Sequence, residues 1–255
     1  MKKISLLLTL VVSSFGINAQ ISTNNTNPSN FNASAIGIET TASGWASTAM
    51  GAYTTASGLS STAMGGNTTA SGNKSTAMGT RTIASDYGSL VIGQYNSSGS
   101  SVTNSATSFS TSNTAFVIGN GTDSINKSDA FKVMFNGDTT VSNDLTVSGD
   151  VVISSDARLK SNIVSLGSTI SKLLQIDGKS YEMRGKQKIG VLAQEIKKVF
   201  PELVTKDENE NLAVNYQGLV PVLINALKEQ QAEIDRIKTQ EERLDRLERL
   251  FAAMD

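Results

Sequence analysis

The chain has 255 residues and a formal net charge of −1, and it contains neither histidine nor cysteine. This charge balance does not indicate a nucleic-acid or anionic-membrane partner, and we expect neither nucleic acid as a partner nor a membrane span in the mature chain. Without histidine and cysteine, the chain has no Ser-His-Asp triad, cysteine nucleophile, disulfide or usual zinc site, and we expect no metal and no cofactor.

The charged residues are distributed unevenly along the chain. Of the 22 basic and 23 acidic residues, 11 lie in residues 21–150 and 32 lie in residues 151–255. The first region is rich in Ser, Thr, Gly and Asn, whereas the second has the composition of a helix-forming domain. Two regions of different physical type therefore share one chain.

The N-terminus, MKKISLLLTLVVSSFGINAQ, has two lysines, an apolar run over Ile4–Val12 and small residues at its end. This layout predicts a secretory signal peptide over residues 1–19, cleaved after Ala19. The apolar run is too short to be a stable membrane anchor, and the alternative is a core helix of a cytosolic protein. We expect an exported chain, extracellular or at the cell surface, that begins with an N-terminal segment at residues 20–33.

A period of fourteen residues covers residues 34–96, in units such as TAMGAYTTASGLSS and TAMGGNTTASGNKS. A fixed period indicates stacked structural units, and this unit has room for two strands of about five residues, each closed by a glycine turn. Stacked units form a solenoid; the alternative is a disordered linker. The glycines recur in two sets, Gly37, Gly51, Gly65, Gly79 and Gly93, and, halfway between, Gly44, Gly58 and Gly72, where Asp86 takes the place of glycine in the last full unit.

The predicted interior of this solenoid is thin. Such a core in one chain indicates that several chains share it, and we expect a homotrimer. The side chains predicted to point inward are those of Ala35, Ile36, Ala49, Met50, Ala63, Met64, Ala77 and Met78.

The repeat S-T-A-M-G-x-x-T-x-A-S-G over residues 34–96 resembles the head repeats of trimeric autotransporter adhesins. The resemblance implies a left-handed β-roll in a homotrimer, that is, a mainly β N-terminal part with an adhesin-like head. Because this chain ends in a polar helix, the anchoring and self-export of those adhesins are not carried over. Trp45 and Tyr53 suggest a surface or glycan ligand of the head; the alternative is that these isolated aromatics only pack.

Residues 97–152 are predicted to form a linker and a β stalk. The first part, SSGSSVTNSATSFSTSN, is of low complexity and predicted to be loose. The second part alternates apolar and polar residues and is interrupted by Asn120-Gly121 and Asn136-Gly137. Asn-Gly between β-prone runs is a strong turn signal, because both residues tolerate a positive φ.

Residues 153–222 predict an α+β domain. The pattern indicates a helix with Ser168 as its N-cap, a strand at KSYEMR, a strand leading into a helix at KIGVLAQEIKKVF, and two short strands around an acidic turn. Pro201 closes the second of these helices. The sequence thus combines a β solenoid and stalk with an α+β domain in one chain.

A long helix is predicted to begin near Tyr216 and to form a coiled coil over residues 223–255, with the polar Gln230 in the seam. The alternative is an amphipathic helix packed on its own domain. The apolar positions, mostly three, four or seven residues apart, are Leu223, Leu227, Ile234, Ile237, Leu244, Leu247 and Phe251.

The stretch ISSDARLKSNI at the boundary between the regions contains Ser155 and Lys160. In a chain without histidine and cysteine, a serine nucleophile with a lysine base is the remaining simple serine site. Five extended residues span about 16 Å, and positions i and i+5 diverge on a helix, so the pair can meet only across a bend or between chains. The lysine must lose its proton near neutral pH, which requires burial or a nearby positive charge; Arg158 is a candidate for that charge, and Asp156 is a second supporting candidate.

Three blocks over about residues 154–240, SDARLKSNI, IGVLAQEIKKVFPELV and VNYQGLVPVLINALKEQQAEIDRI, resemble the C-terminal intramolecular chaperone domain of phage endosialidase tailspikes. Members of that family trimerise, help an upstream β-rich trimer to fold and then cut themselves off. The resemblance implies that Ser155 is the nucleophile, that Lys160 is its base, and that the cut falls between Ser154 and Ser155. The alternative is a structural protein in which this domain remains as a permanent trimerisation clamp.

Overall fold

The computed structural model describes residues 27–28, 32–207 and 210–253. The chain divides into two compact units, Met1–Val151 and Val152–Asp255. The first is built from β-strands and the second combines short strands with helices, which confirms the predicted fold class. The predicted signal peptide lies outside the described residues.

The first unit is a β-solenoid in which each coil has one long and one short strand. Equivalent strands pair in parallel, fourteen residues apart, as Ala49 does with Ala63. The predicted stacked unit is confirmed, but its second strand is two residues long rather than about five. The long strands are β2 (Ser34–Ile38), β4 (Thr48–Ala52), β6 (Thr62–Gly66), β8 (Thr76–Thr80) and β10 (Leu90–Gln94). The short strands are β1 (Asn27–Pro28), β3 (Thr41–Ala42), β5 (Thr55–Ala56), β7 (Thr69–Ala70) and β9 (Ile83–Ala84).

Alanine, together with buried Thr and Ser side chains, fills the interior of the solenoid. The prediction that the neighbouring methionines also point inward is wrong, because Met50 and Met64 are 36% and 38% exposed, while Ile36 and Met78 are half-buried. Ala49 and Met50 are consecutive residues of one strand, and consecutive side chains point to opposite faces of a sheet. Within the repeat, the fully buried apolar residues recur every seven positions, at Ala42, Ala49, Ala56, Ala63, Ala70, Ala77, Ala84 and Val91.

The glycines of the long strands are required by close contact between coils rather than by turns, which corrects the prediction. Gly65 has a φ of +120°, and a Cβ added there would lie 2.1 Å from the carbonyl oxygen of Gly79. The turn that follows each long strand instead has a left-handed residue that is not glycine, such as Tyr53 or Asn67. Each coil therefore stacks its glycine directly on the backbone of the next coil.

Three further strands extend the long sheet to eight strands. Strand β11 (Thr114–Asn120) pairs in parallel with β10. Strand β12 (Asp129–Met134) pairs antiparallel with β11, and β13 (Thr139–Val141) pairs antiparallel with β12. The predicted turn at Asn136-Gly137 joins β12 to β13, and Gly137 has a φ of 93°. The strands predicted as a stalk therefore belong to the sheet of the head.

Residues 96–113 close the end of the short-strand sheet. The amide of Asn96 accepts a hydrogen bond from the Ile83 N–H (2.8 Å) and donates one to the Ile83 carbonyl (3.0 Å), in the manner of a further strand. Asn113, also fully buried, bonds in the same two ways to the backbone of Ser105. An unpaired strand edge can pair with another chain, and this segment covers that edge. It was predicted to be loose, whereas the structure shows an ordered cap.

Asp86 holds this cap, which explains why it interrupts the glycine series. It is fully buried, and its two side-chain oxygens accept hydrogen bonds from the backbone N–H groups of Thr103 (2.6 Å) and Thr114 (2.7 Å). We expect Asp86→Gly, which restores the residue of the other coils, to lower the free energy of unfolding by about 3–6 kcal/mol, because two hydrogen bonds to a charged group are lost. Thermal unfolding followed by circular dichroism measures the change. The exposed Asp150→Gly is the control, and equal melting temperatures for the two variants would contradict this role.

The second unit contains the predicted elements in the predicted order. Helix α1 has Thr169 rather than Ser168 at its N-cap position, one residue from the prediction. The helices are α1 (Ile170–Leu173), α2 (Ala193–Val199) and α3 (Leu219–Ala252). The strands are β14 (Lys179–Met183), β15 (Lys186–Gly190), β16 (Val204–Lys206) and β17 (Leu212–Val214), and 3-10 turns cover Ala157–Leu159, Pro201–Leu203 and Tyr216–Gly218.

Helix α3 is 34 residues long and changes its environment along its length. Near its start, Val222 packs into a small core with Ile196 and Phe200. From Gln230 to Leu250, by contrast, all residues are exposed in the single chain. The alternative of a helix packed on its own domain therefore holds only for the first turns. The exposed apolar residues of α3 include Leu223, Leu227, Ile234, Ile237, Leu244 and Leu247.

Candidate active site

Ser155 and Lys160 lie within hydrogen-bonding distance in a single chain. The Lys160 Nζ donates to the Ser155 Oγ at 2.8 Å. The 3-10 turn Ala157–Leu159 lies between the two residues and reverses the chain enough for the side chains to meet. Of the two geometries that the sequence left open, a bend and a contact between chains, the bend is observed; the catalytic roles of both residues stay a prediction.

Asp156 and Arg158, the two supporting candidates, build this turn. The Asp156 carboxylate caps it by accepting a hydrogen bond from the Arg158 backbone N–H at 2.8 Å. The same carboxylate pairs with the Arg158 guanidinium at 2.6 Å. The guanidinium hydrogen bond lowers the pKa of Asp156 and raises the pKa of Arg158. The cation expected to act on Lys160 is therefore paired with Asp156.

The candidate site is open to water in the single chain. Ser154, Ser155 and Lys160 are exposed. A lysine becomes a base only after losing its proton, and burial or an unpaired nearby cation favours that loss. In the single chain Lys160 is exposed and Arg158 is paired with Asp156, so cover of the site would have to come from association.

Exposed apolar side chains neighbour the pair in the sequence and are suited to provide this cover on association. Solvent-exposed apolar groups of this density mark interaction surfaces. The apolar residues before, between and after the two members of the pair, each more than half exposed, are Val152, Ile153, Leu159, Ile163 and Val164.

The sequence did not predict a second polar cluster, in which Glu229 of α3 binds the start of α1. The carboxylate of Glu229 accepts hydrogen bonds from the Ser168 hydroxyl and the Thr169 backbone N–H, both at 2.6 Å. The Ser168 hydroxyl, followed by the Thr169 N–H, lowers the pKa of Glu229. Since about sixty residues separate the partners, no local pattern points to this contact.

Trp45 and Tyr53, the candidates for a ligand contact, are 51% and 52% exposed. They occupy different positions of the repeat, since eight residues separate them in a period of fourteen. A ligand of the head stays a prediction. Among the described residues, no helix combines the length and apolarity needed to cross a membrane.

Comparison with known families gives two matches, one in each region. Residues 155–205 match the chaperone of endosialidase, so that the match begins at Ser155. Residues 29–96 match the YadA head domain repeat in four overlapping places, 29–54, 46–68, 56–82 and 70–96. The chain thus carries adhesin-type head repeats followed by an endosialidase-type chaperone domain, as the resemblances imply. No curated protein matches the chain.

Proposed function

We propose that the chain is an exported trimeric fibre protein whose C-terminal domain promotes trimer folding and then cuts itself off between Ser154 and Ser155. The observation that carries this proposal is the 2.8 Å hydrogen bond between Lys160 and Ser155. These two residues lie in the part of the chain that matches the chaperone of endosialidase. Export is supported by the predicted signal peptide and by the adhesin-type repeats.

A row of apolar side chains across the head supports the trimer. It lies on the face of the long sheet opposite the buried alanines, and its members are half-buried or exposed in the single chain. Equivalent side chains stand next to one another on neighbouring strands, and they would be covered by the same row of other copies. The row consists of Ile36, Met50, Met64, Met78, Ile92, Ile118, Phe131 and Val141.

The exposed seam of α3 supports association at the other end of the sequence. An isolated helix gains little stability from its own backbone, and apolar residues at heptad-like spacing are typical of helices that pack together. Assembly of the α3 helices would gather three chains before the long-range β structure forms, a step that is slow and prone to aggregation. A C-terminal domain that holds three chains together during folding, and is removed afterwards, would assist this step.

The proposed cut takes place once the site is covered. Neutral Lys160 accepts the hydroxyl proton of Ser155, and the serine oxygen attacks the carbonyl carbon of Ser154 in its own or a neighbouring chain. The peptide C–N bond breaks, the proton passes to the leaving nitrogen, and an ester joins the Ser154 acyl group to the serine oxygen. Water hydrolyses this ester, leaving a carboxylate on Ser154 and releasing residues 155–255.

The second candidate function is a permanent trimerisation clamp without any cut. The exposure of Ser155 and Lys160 in the single chain favours it, since catalysis by the pair needs a site shielded from water. Both functions require trimers, and only the length of the mature chain separates them.

The experiment compares the full chain with Ser155→Ala, Lys160→Ala and Lys160→Arg on denaturing gels and by intact mass. We expect the wild type to give a fragment that begins at Ser155, and all three variants to stay uncut. Arginine keeps the positive charge but cannot act as a base, so Lys160→Arg separates proton transfer from charge. Ser154→Ala, which keeps the nucleophile, is the control and is expected to cut. A wild type that stays at full length would establish the clamp instead.

A further inference from the structure

The segment just after the candidate active site is fastened to the long helix at three points. Besides the two hydrogen bonds from Ser168 and Thr169 to Glu229, the Thr169 hydroxyl bonds to the carbonyl oxygen of Val222 at 2.9 Å. The side-chain amide of Asn225 donates to the Gly167 carbonyl at 3.3 Å. Thr169 is only 1% exposed. Residues 167–169 are therefore anchored on α3, and we call this set of contacts the Glu229 anchor.

Among the described residues, the active-site turn has no such attachment to α3. The hydrogen bonds described for residues 155–160 join these residues to one another. Residues 161–166 are exposed and contain neither helix nor strand. Residues 161–166, which we call the tether, connect the Ser155–Lys160 pair to the Glu229 anchor. The Glu229 anchor is the first fixed point after the pair along the chain.

The Glu229 anchor also borders the surface by which α3 would associate. A groove of about 490 Å³ lies beside it, and Ile170 of helix α1, Glu229 and the seam residues Ile234 and Ile237 contribute to its walls. Another copy of α3 packed against the seam would lie next to this groove. Glu229 therefore both binds the anchored end of the tether and lines the groove beside the proposed helix–helix interface.

We propose that Glu229 is a positioning residue for self-cleavage, which holds the tether on α3 so that the assembled helices present the Ser155–Lys160 turn in a covered position. This inference rests on the proposed function. Glu229 takes no part in proton transfer; it determines where the reacting groups lie relative to the assembled helices. Misplacement of about 1 Å can reduce the rate of an enzymatic reaction by up to about a hundredfold.

A pulse-chase experiment on the full chain tests this role, with cutting measured on denaturing gels and trimers measured by cross-linking in the same samples. We expect Glu229→Ala to form trimers like the wild type and to cut at least about tenfold more slowly. Glu229→Gln is expected to restore most of the rate, because its amide oxygen can accept from the Thr169 N–H and its amide nitrogen can donate to the Ser168 oxygen. Asp235→Ala is the matched control, since Asp235 lies on α3 outside this groove and accepts a hydrogen bond from Gln231, and it is expected to cut like the wild type.

Each other outcome is informative. If Glu229→Ala cuts at the wild-type rate, the positioning role is wrong while the proposed function stands. If its cutting falls only in proportion to its trimers, Glu229 merely stabilises the domain and the inference is overturned. If the wild type itself stays uncut and matches Ser155→Ala, the proposed function fails, and the inference fails with it.

Discussion

Gly65→Ala is expected to disrupt the folded head. Its added Cβ would lie 2.1 Å from the Gly79 carbonyl oxygen, and Gly79 is in turn stacked on Gly93, so neither backbone can yield without disturbing the next coil. Overpacking costs about 1–3 kcal/mol, and a strained backbone at φ +120° costs about 1–3 kcal/mol more. Together these effects remove a large part of the roughly 5–15 kcal/mol that stabilises a typical protein. A large drop in melting temperature, or insoluble protein, is the expected observation.

The adjacent Gly66 provides a matched control for this prediction. A Cβ added at Gly66 has no atom within 4 Å, and Gly66→Ala is expected to change the stability by less than about 0.5 kcal/mol. All chains also carry Ser155→Ala, so that samples of equal length are compared by circular dichroism. Similar melting temperatures for the two alanine variants would show that close contact between coils is not what requires glycine in the repeat.

The double substitution Ile234→Glu and Ile237→Glu is expected to abolish the trimer. These two residues are 41% and 43% exposed in the single chain, and covering an apolar side chain of this size contributes up to about 1.5–3 kcal/mol. The substitution removes that contribution in every chain and places like charges opposite one another. We expect the molecular mass in solution to fall from three chains to one, with loss of helix signal beyond Gln230.

Lys238→Glu is the control for the seam, because it introduces the same side chain at an exposed position next to Ile237. It is expected to leave the trimer intact. Sedimentation equilibrium gives the mass, and denaturing gels of the same samples show whether cutting is lost together with assembly. If the double variant keeps the mass of the wild type, the α3 seam does not hold the chains together and the head alone must do so.

The architecture could be predicted because its physical causes are local or periodic. A coil that stacks on an identical coil needs the same residue type at the same interval, so the glycine and alanine series are visible in the sequence. Turn signals such as Asn136-Gly137 and helical spacing in α3 work in the same way. The period alone does not show which member of an Ala-Met pair faces inward. The packing of alanine-sized residues along both sheets decides that, and it leaves the methionines outside.

The cap was missed for a related reason. Residues 97–113 have the composition of a flexible linker, but the buried amides of Asn96 and Asn113 and the buried Asp86 give this segment fixed partners. Low complexity describes the segment itself, whereas its order comes from the sheet edge that it covers. A departure from the repeat, Asp in place of Gly at residue 86, was the only visible sign.

By itself, the sequence determined the stacked repeat, the long helix and the Ser155–Lys160 pair, because each depends on residue type and spacing along the chain. Only the tertiary structure decided that the pair meets within one chain, since this requires the turn that Asp156 caps. The tertiary structure alone also revealed the Glu229 anchor, because a hydrogen bond between residues about sixty positions apart leaves no periodic or local trace in a sequence.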